Sequence, residues 1–144
     1  MYSFLDSLIN PKIEVKTSYS REILPKKVTL KDVTKQVSSF GSFVHALHTE
    51  DYTLIGGSLN DYLVEKHRKI LIPLFDEIKE ICLKNGALGC SISGSGPSVF
   101  ALTKGIDTAD RINESVSKLY EKSDIDFSTY VSKISEKGVR ILSN

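Results

Sequence analysis

The sequence has only two cysteines, Cys82 and Cys90, among 144 residues. They do not form a CxxC pair, and both lie among apolar neighbours, so they read as reduced core thiols. A secreted scaffold stapled by disulfides needs more cysteine than this. Charge of one sign is equally scarce. Nineteen basic residues stand against 18 acidic ones with no block of like charge, which argues against nucleic acid or a membrane surface as a partner. No apolar run approaches the ~20 residues that span a bilayer. The opening Met1-Tyr2-Ser3-Phe4-Leu5-Asp6 has no basic stretch and carries an early acid. It is not a secretory leader, and a soluble cytoplasmic protein is expected.

Metal and nucleophile patterns are missing as well. His45 and His48 lie three apart with Glu50 nearby, but no third ligand stands at a convincing spacing, so they read as a surface helix. No serine or cysteine has a matched base beside it in sequence. Asp61 and Glu65 share a helical face and read as a solvated pair rather than an acid and its base. His67 reads as an exposed neighbour of Arg68.

What is present suits one domain over residues 1–144, long enough to bury a sizeable core. Ile13-Glu14-Val15-Lys16-Thr17 alternates apolar and polar residues, as a half-buried strand does. A short turn or helix near Arg21 to Leu24 is stopped by Pro25. Val33, Val37, Phe40, Val44 and Leu47 repeat at four-three spacing, predicting an amphipathic helix over about 29–49 with that stripe buried. Asp51 can cap a further helix running to Leu63 or beyond, although Gly56-Gly57 weakens it. Pro73 suits the first turn of another helix, with Phe75, Ile78 and Cys82 inward and Gly86 at its end. Asp107 or Thr108 is expected to cap a helix with Ala109, Ile112, Val116 and Leu119 inward. Strands over 127–134 and 139–142 close the chain. The order predicts an α+β fold, two-layered, with a mainly antiparallel sheet and helices packed on one face.

The richest segment is Gly86 to Leu102, GALGCSISGSGPSVFAL. It sets a tight Gly/Ser loop between two apolar runs, too short for a parallel crossover, so the runs form an antiparallel hairpin. The loop has no lysine and opens no helix, which excludes the Walker loop and the dinucleotide fingerprint. Consecutive amides from Ser93 to Gly96 can form an anion-binding nest, with hydroxyls of Ser91, Ser93, Ser95 and Ser98 nearby. An ordinary hairpin turn explains the same residues, and residue chemistry leaves both readings open.

Gly86 to Ser98 resembles the third conserved motif of the GHMP small-molecule kinases, in the form that homoserine kinases carry. Ile13 to Ser18 with Arg21-Glu22-Ile23-Leu24-Pro25 resembles the first substrate-arginine block of that subfamily, and Glu65 to Pro73, EKHRKILIP, resembles the second. The ending Gly138-Val139-Arg140-Ile141-Leu142 also fits. Two positions depart from the pattern: Lys66 follows Glu65 where proline is usual, and Leu74 follows Pro73 where glycine is usual.

The resemblance covers only the C-terminal half of such an enzyme. The upstream ATP-binding domain, with its Gly-Leu-Gly-Ser-Ser phosphate loop, has no match here. It implies the ferredoxin-like C-terminal domain of these kinases and transfer of the ATP γ-phosphoryl group to the hydroxyl of L-homoserine. By the same resemblance Arg21 and Arg68 hold the substrate carboxylate, in keeping with the planar fork of a guanidinium, and Thr17 adds a hydrogen bond. Ser93, Gly94, Ser95, Gly96 and Pro97 face the phosphate loop of the missing half, which also binds most of the ATP and Mg2+. No catalytic or metal-ligating residue is expected in this chain. Its partners are then L-homoserine, the N-terminal kinase domain and, as a further option, a second copy of itself. Two other readings are a domain of another GHMP kinase acting on mevalonate or a sugar, and a free-standing non-catalytic binding module.

Overall fold

In the computed structural model the described residues are 4–135, 137–139 and 141. Four strands form one antiparallel sheet in the order β2-β3-β1-β4. Strand β1 (Leu5–Pro11) alternates buried and half-buried residues along its length, as a strand with one fully covered face must. It pairs with β3 (Val99–Thr103) from Leu5↔Thr103 to Ile9↔Val99, and with β4 (Phe127–Lys133) from Leu5↔Lys133 to Pro11↔Phe127. Strand β2 (Gly89–Ile92) joins β3 in the expected hairpin.

Helices α5 (Phe75–Lys84) and α6 (Ile106–Tyr120) cover one face of this sheet. Their inward residues Ile78, Cys82, Ile112 and Val116 are completely buried against Ile9, Val99 and Ala101. Each such side chain contributes about 1.5–3 kcal/mol of transfer free energy. Tyr120 closes the far end, stacked on Phe127 with ring centroids 4.7 Å apart. The α+β class, the antiparallel sheet and the inward faces of α5 and α6 agree with the sequence reading.

Four further α-helices lie on the chain between β1 and α5. They are α1 (Thr17–Glu22), α2 (Leu30–Thr49), α3 (Tyr52–Ser58) and the short α4 (Glu65–Arg68). Thr29 caps α2 by accepting from the Asp32 N–H, and Asp51 caps α3 by accepting from the Leu54 N–H. Around Ala46 and Ile55 helices α2 and α3 form a second, smaller core with Phe4 and Leu102, on the sheet face opposite α5 and α6.

Several expectations need correction. The first strand is Leu5–Pro11, not 13–17. The alternation over 13–16 is real, but Ile13 and Val15 turn toward Tyr19 and Leu71 instead of a neighbouring strand. Helix α3 stops at Ser58, well short of Leu63. Pro73 precedes α5 rather than sitting inside it, and Leu74 takes the left-handed conformation at φ 62° before the helix begins. That is the position where a glycine is usual in the resembled family, and glycine alone takes such a φ without steric cost. Helix α6 starts at Ile106 after Gly105, with no side-chain cap from Asp107 or Thr108. The strand over 139–142 reaches beyond the described residues, and Val139 and Ile141 themselves are exposed and outside any strand.

The largest correction concerns α2. The middle of its apolar stripe does not face the core: Val37 is 64% exposed, Phe40 67% and Val44 40%, while Val33 is half-buried and Leu47 packs inward. The helix is turned so that Phe43, Ala46 and Leu47 meet α3 and the sheet. Periodicity identifies an apolar face but not what lies against it.

Glycine sets how closely α3 approaches the sheet. A Cβ on Gly56 would stand 2.8 Å from the Leu88 carbonyl oxygen, and one on Gly89 2.5 Å from Leu59 Cβ. Gly57, next in the same helix, faces open space. Gly56→Ala is therefore expected to cost about 1–3 kcal/mol through overpacking, whereas Gly57→Ala leaves stability unchanged or gains up to ~1 kcal/mol in helix propensity. Urea denaturation of both variants checks this, and equal midpoints contradict it.

Candidate functional site

The loop from Ser93 to Ser98 turns the β2–β3 hairpin. The Ser93 N–H donates to the Ser98 carbonyl at 2.8 Å, and the Gly96 N–H donates to the Ser93 carbonyl at 3.1 Å. Gly94 and Gly96 have φ of 63° and 77°, the region that a residue bearing a Cβ enters only with strain. These internal bonds narrow the anion nest read from the sequence. Two of its amides are used by the turn itself, and those of Gly94 and Ser95 lie outside these bonds. Beyond the turn, the Ser98 hydroxyl donates to Asn10 Oδ1 at 3.1 Å, which ties the loop to the end of β1.

Helix α1 is anchored directly on this loop. Ser20 is completely buried, and its hydroxyl donates to the Ser95 carbonyl at 3.2 Å. Thr17 and Arg21 are exposed and stand four apart on α1, a spacing that puts them on one helical face. Among the described residues Arg21 has no ion-pair partner.

Arg68 ends the short helix α4 (Glu65–Arg68) and joins the two parts. Its Nε donates to the Ser20 carbonyl and its Nη1 to the Gly94 carbonyl, both at 3.0 Å. One guanidinium thus clasps α1 and the glycine loop together, and charged donors make the stronger class of hydrogen bond. Nη2, on the same rigid fork, takes part in neither bond.

Two carboxylates hold α4 in place. Asp61 accepts from the backbone N–H groups of Leu63 and Val64 at 2.8 and 2.7 Å, and of Glu65 at 3.1 Å, so it starts the turn into α4. Glu65 accepts from the Ser91 hydroxyl at 2.6 Å through Oε2 and pairs with Lys79 through Oε1. The Glu65 side chain is only 13% exposed. The reading of Asp61 and Glu65 as a solvated face is therefore wrong, for both are built into the support of Arg68. The shared helical face read from their spacing does not form, since Asp61 stands in the turn before α4, and the spacing gave no sign that Ser91 and Lys79 converge on Glu65.

The remaining candidates fall away from this place. His45 and His48 are exposed, and no cluster of metal-binding side chains occurs among the described residues. His67 is half-buried rather than exposed, and its Nε2 is buried without a partner. Cys82 and Cys90 are free and buried as expected. A side-chain hydrogen bond with Cys82 that favours the protonated Cys90, then burial, holds the Cys90 thiol well above the usual range.

Comparison with known proteins gives the family. Residues 43–122 match the family model described as GHMP kinases C terminal. The chain belongs to that family. It is 45% identical over 138 residues to a homoserine kinase of Chlorobium phaeovibrioides, covering 94% of this chain and 43% of the relative. A homoserine kinase of Chlorobaculum tepidum is 41% identical, with 95% and 43% covered. The crystal structure of homoserine kinase from Cytophaga hutchinsonii superposes with a TM-score of 0.88 at 41% identity, over 92% of this chain and 42% of that one. The chain thus spans well under half the length of these relatives. Streptococcus pneumoniae phosphomevalonate kinase shares the fold, with a TM-score of 0.66 at 18% identity. No helix among the described residues is long and apolar enough to cross a membrane.

The clasp has a measurable consequence. Arg68→Ala leaves two backbone carbonyls without their charged donor and is expected to destabilise the chain by about 1–3 kcal/mol. Arg21→Ala, which removes no described bond, is expected within ~0.5 kcal/mol of wild type. Thermal denaturation of both variants decides it, and equal losses contradict the clasp.

Proposed function

We propose that this chain is the C-terminal, substrate-holding part of a homoserine kinase. The whole enzyme transfers the ATP γ-phosphoryl group to the hydroxyl of L-homoserine in the cytoplasm, giving O-phospho-L-homoserine on the way to threonine. The observation that carries this reading is the union of α1, α4 and the glycine loop through Arg68, in a chain that matches homoserine kinases over 94% of its length.

In this reading the unpaired guanidinium of Arg21 and the free Nη2 of Arg68 take the substrate carboxylate, and the Thr17 hydroxyl adds a hydrogen bond. A carboxylate suits the planar fork of arginine. Fixing that end directs the substrate hydroxyl toward the phosphoryl group. The amides of Gly94 and Ser95 face the phosphates from this side of the cleft, which suits a reaction that depends on positioning and charge stabilisation. During transfer the hydroxyl oxygen bonds to the γ-phosphorus, the bond from that phosphorus to the β–γ bridging oxygen breaks, and the hydroxyl proton departs. The described residues do not fit Mg2+, since no carboxylate cluster is present, and its ligands, with most of the ATP contacts, are assigned to the preceding half.

A coupled ATP assay tests this reading. The full-length polypeptide is expected to prefer homoserine over mevalonate, and the 144-residue chain alone to show no turnover. Arg21→Ala or Arg68→Ala in the full-length enzyme is expected to raise the KM for homoserine by a loss of ~2–5 kcal/mol, with the KM for ATP nearly unchanged. Preference for mevalonate, or an unchanged homoserine KM in both variants, overturns the assignment.

A further inference from the structure

The sheet face opposite α5 and α6 is only partly covered, and what remains is an apolar cleft of about 580 Å³. Phe43 and Leu47 of α2 form one wall, and Phe4, Phe100 and Leu102 form the other. Leu59, Phe43 and Phe100 also line an adjoining hollow of about 240 Å³, which runs out to Phe40. The exposed stripe of α2 continues from there: Val37, Phe40 and Val44 stand on the helix face beside the cleft. Single exposed apolar residues are ordinary, but a contiguous patch opening into an apolar cleft marks a contact surface.

One polar feature lies inside. Asp6, on β1, lines the cleft, and its Oδ1 is buried with no hydrogen-bond partner. Burial raises its carboxyl above the usual carboxylate range. A buried acceptor without a donor costs free energy until a neighbour supplies one.

We propose that this cleft and the α2 stripe are the seat of the preceding half of the longer kinase, whose contacting surface is apolar and carries one hydrogen-bond donor for Asp6. The proposal rests on reading this chain as the C-terminal part of such an enzyme. Two observations favour this occupant over a second copy of the chain. The relatives are more than twice as long as the segment matched here, so their remainder is large enough to cover such a face. Phe4, which stands just before β1, is itself in the cleft wall. A segment preceding it arrives tethered at that wall, at an effective concentration in the millimolar range for a short link. The glycine loop lies at the opposite end of the same strands, beside Val99 and Asn10. The seat therefore fixes the two halves against each other while leaving the loop's amides open.

Cysteine labelling in the native full-length polypeptide tests the seat directly. Phe40→Cys and Val37→Cys are each compared with Leu83→Cys, an exposed site on α5 (Leu83 is 47% exposed). The two thiols of this chain are buried, and the unsubstituted full-length protein supplies the background rate to be subtracted. A maleimide is expected to label positions 40 and 37 at least tenfold more slowly than position 83 in the full-length protein, and at comparable rates in the 144-residue chain. Equal rates in the full-length protein overturn the proposal. Protection that disappears on dilution also overturns it, in favour of a second copy. Labelling is read without substrate, so a failed homoserine assay and a failed seat are separate results.

Discussion

The Arg68 guanidinium stands between two parts of the chain and bonds to the backbone of both. Helix α1 brings Ser20, with Thr17 and Arg21 on its exposed side, and the β2–β3 hairpin brings the glycine loop. Each offers a backbone carbonyl, from Ser20 and Gly94, and one rigid fork satisfies both. The Ser20 hydroxyl adds a second bond in the other direction, to Ser95. A lysine has a single point charge and cannot reproduce a fork across two elements. Arg68 consequently uses Nε and Nη1 to join the two elements, and Nη2 takes part in neither bond.

The fork is held by a buried arrangement that is itself costly. Placing Glu65 and Lys79 out of water carries a desolvation penalty, which their mutual attraction and the Ser91 hydrogen bond offset. The benefit is placement rather than net stability. Glu65 begins the four-residue helix that Arg68 ends, and it ties that helix to β2 and α5 at once. Gly56 and Gly89 act on the same edge of the sheet from the other side, letting α3 lie at backbone distance from β2.

Much of this fold was legible in the residues. The hairpin, the long helix near 29–49, the Asp51 cap of α3 and the inward faces of α5 and α6 follow from local periodicity and turn chemistry, which the tertiary structure did not override. The misreadings share one physical cause. Alternation over 13–16 and the stripe of Val37, Phe40 and Val44 each report that a segment is two-sided, and neither reports its neighbour. The Glu65 network failed for the same reason, since Ser91 lies 26 residues away in sequence. The glycine loop, Arg21 and Arg68 are singled out by motif resemblance, and the structure brings α1, Arg68 and the loop together. The bonds that Arg68 makes to Ser20 and Gly94 depend on chain paths that no spacing encodes.

This α+β domain turns Val37, Phe40 and Val44 of its longest helix outward, and its sheet is covered fully on one face only. Its loop and its arginines present donors across an open side, and Arg68 is the residue that makes them one surface. Hydrogen exchange at the Ser93 and Gly96 amides, in wild type and Arg68→Ala, tests that claim most directly. Loss of the clasp is predicted to speed exchange at both amides roughly tenfold, as ~1.4 kcal/mol of lost local stability gives, with the amides of α6 unaffected. Unchanged exchange at Ser93 and Gly96 would show that the loop stands without Arg68 and would contradict the account.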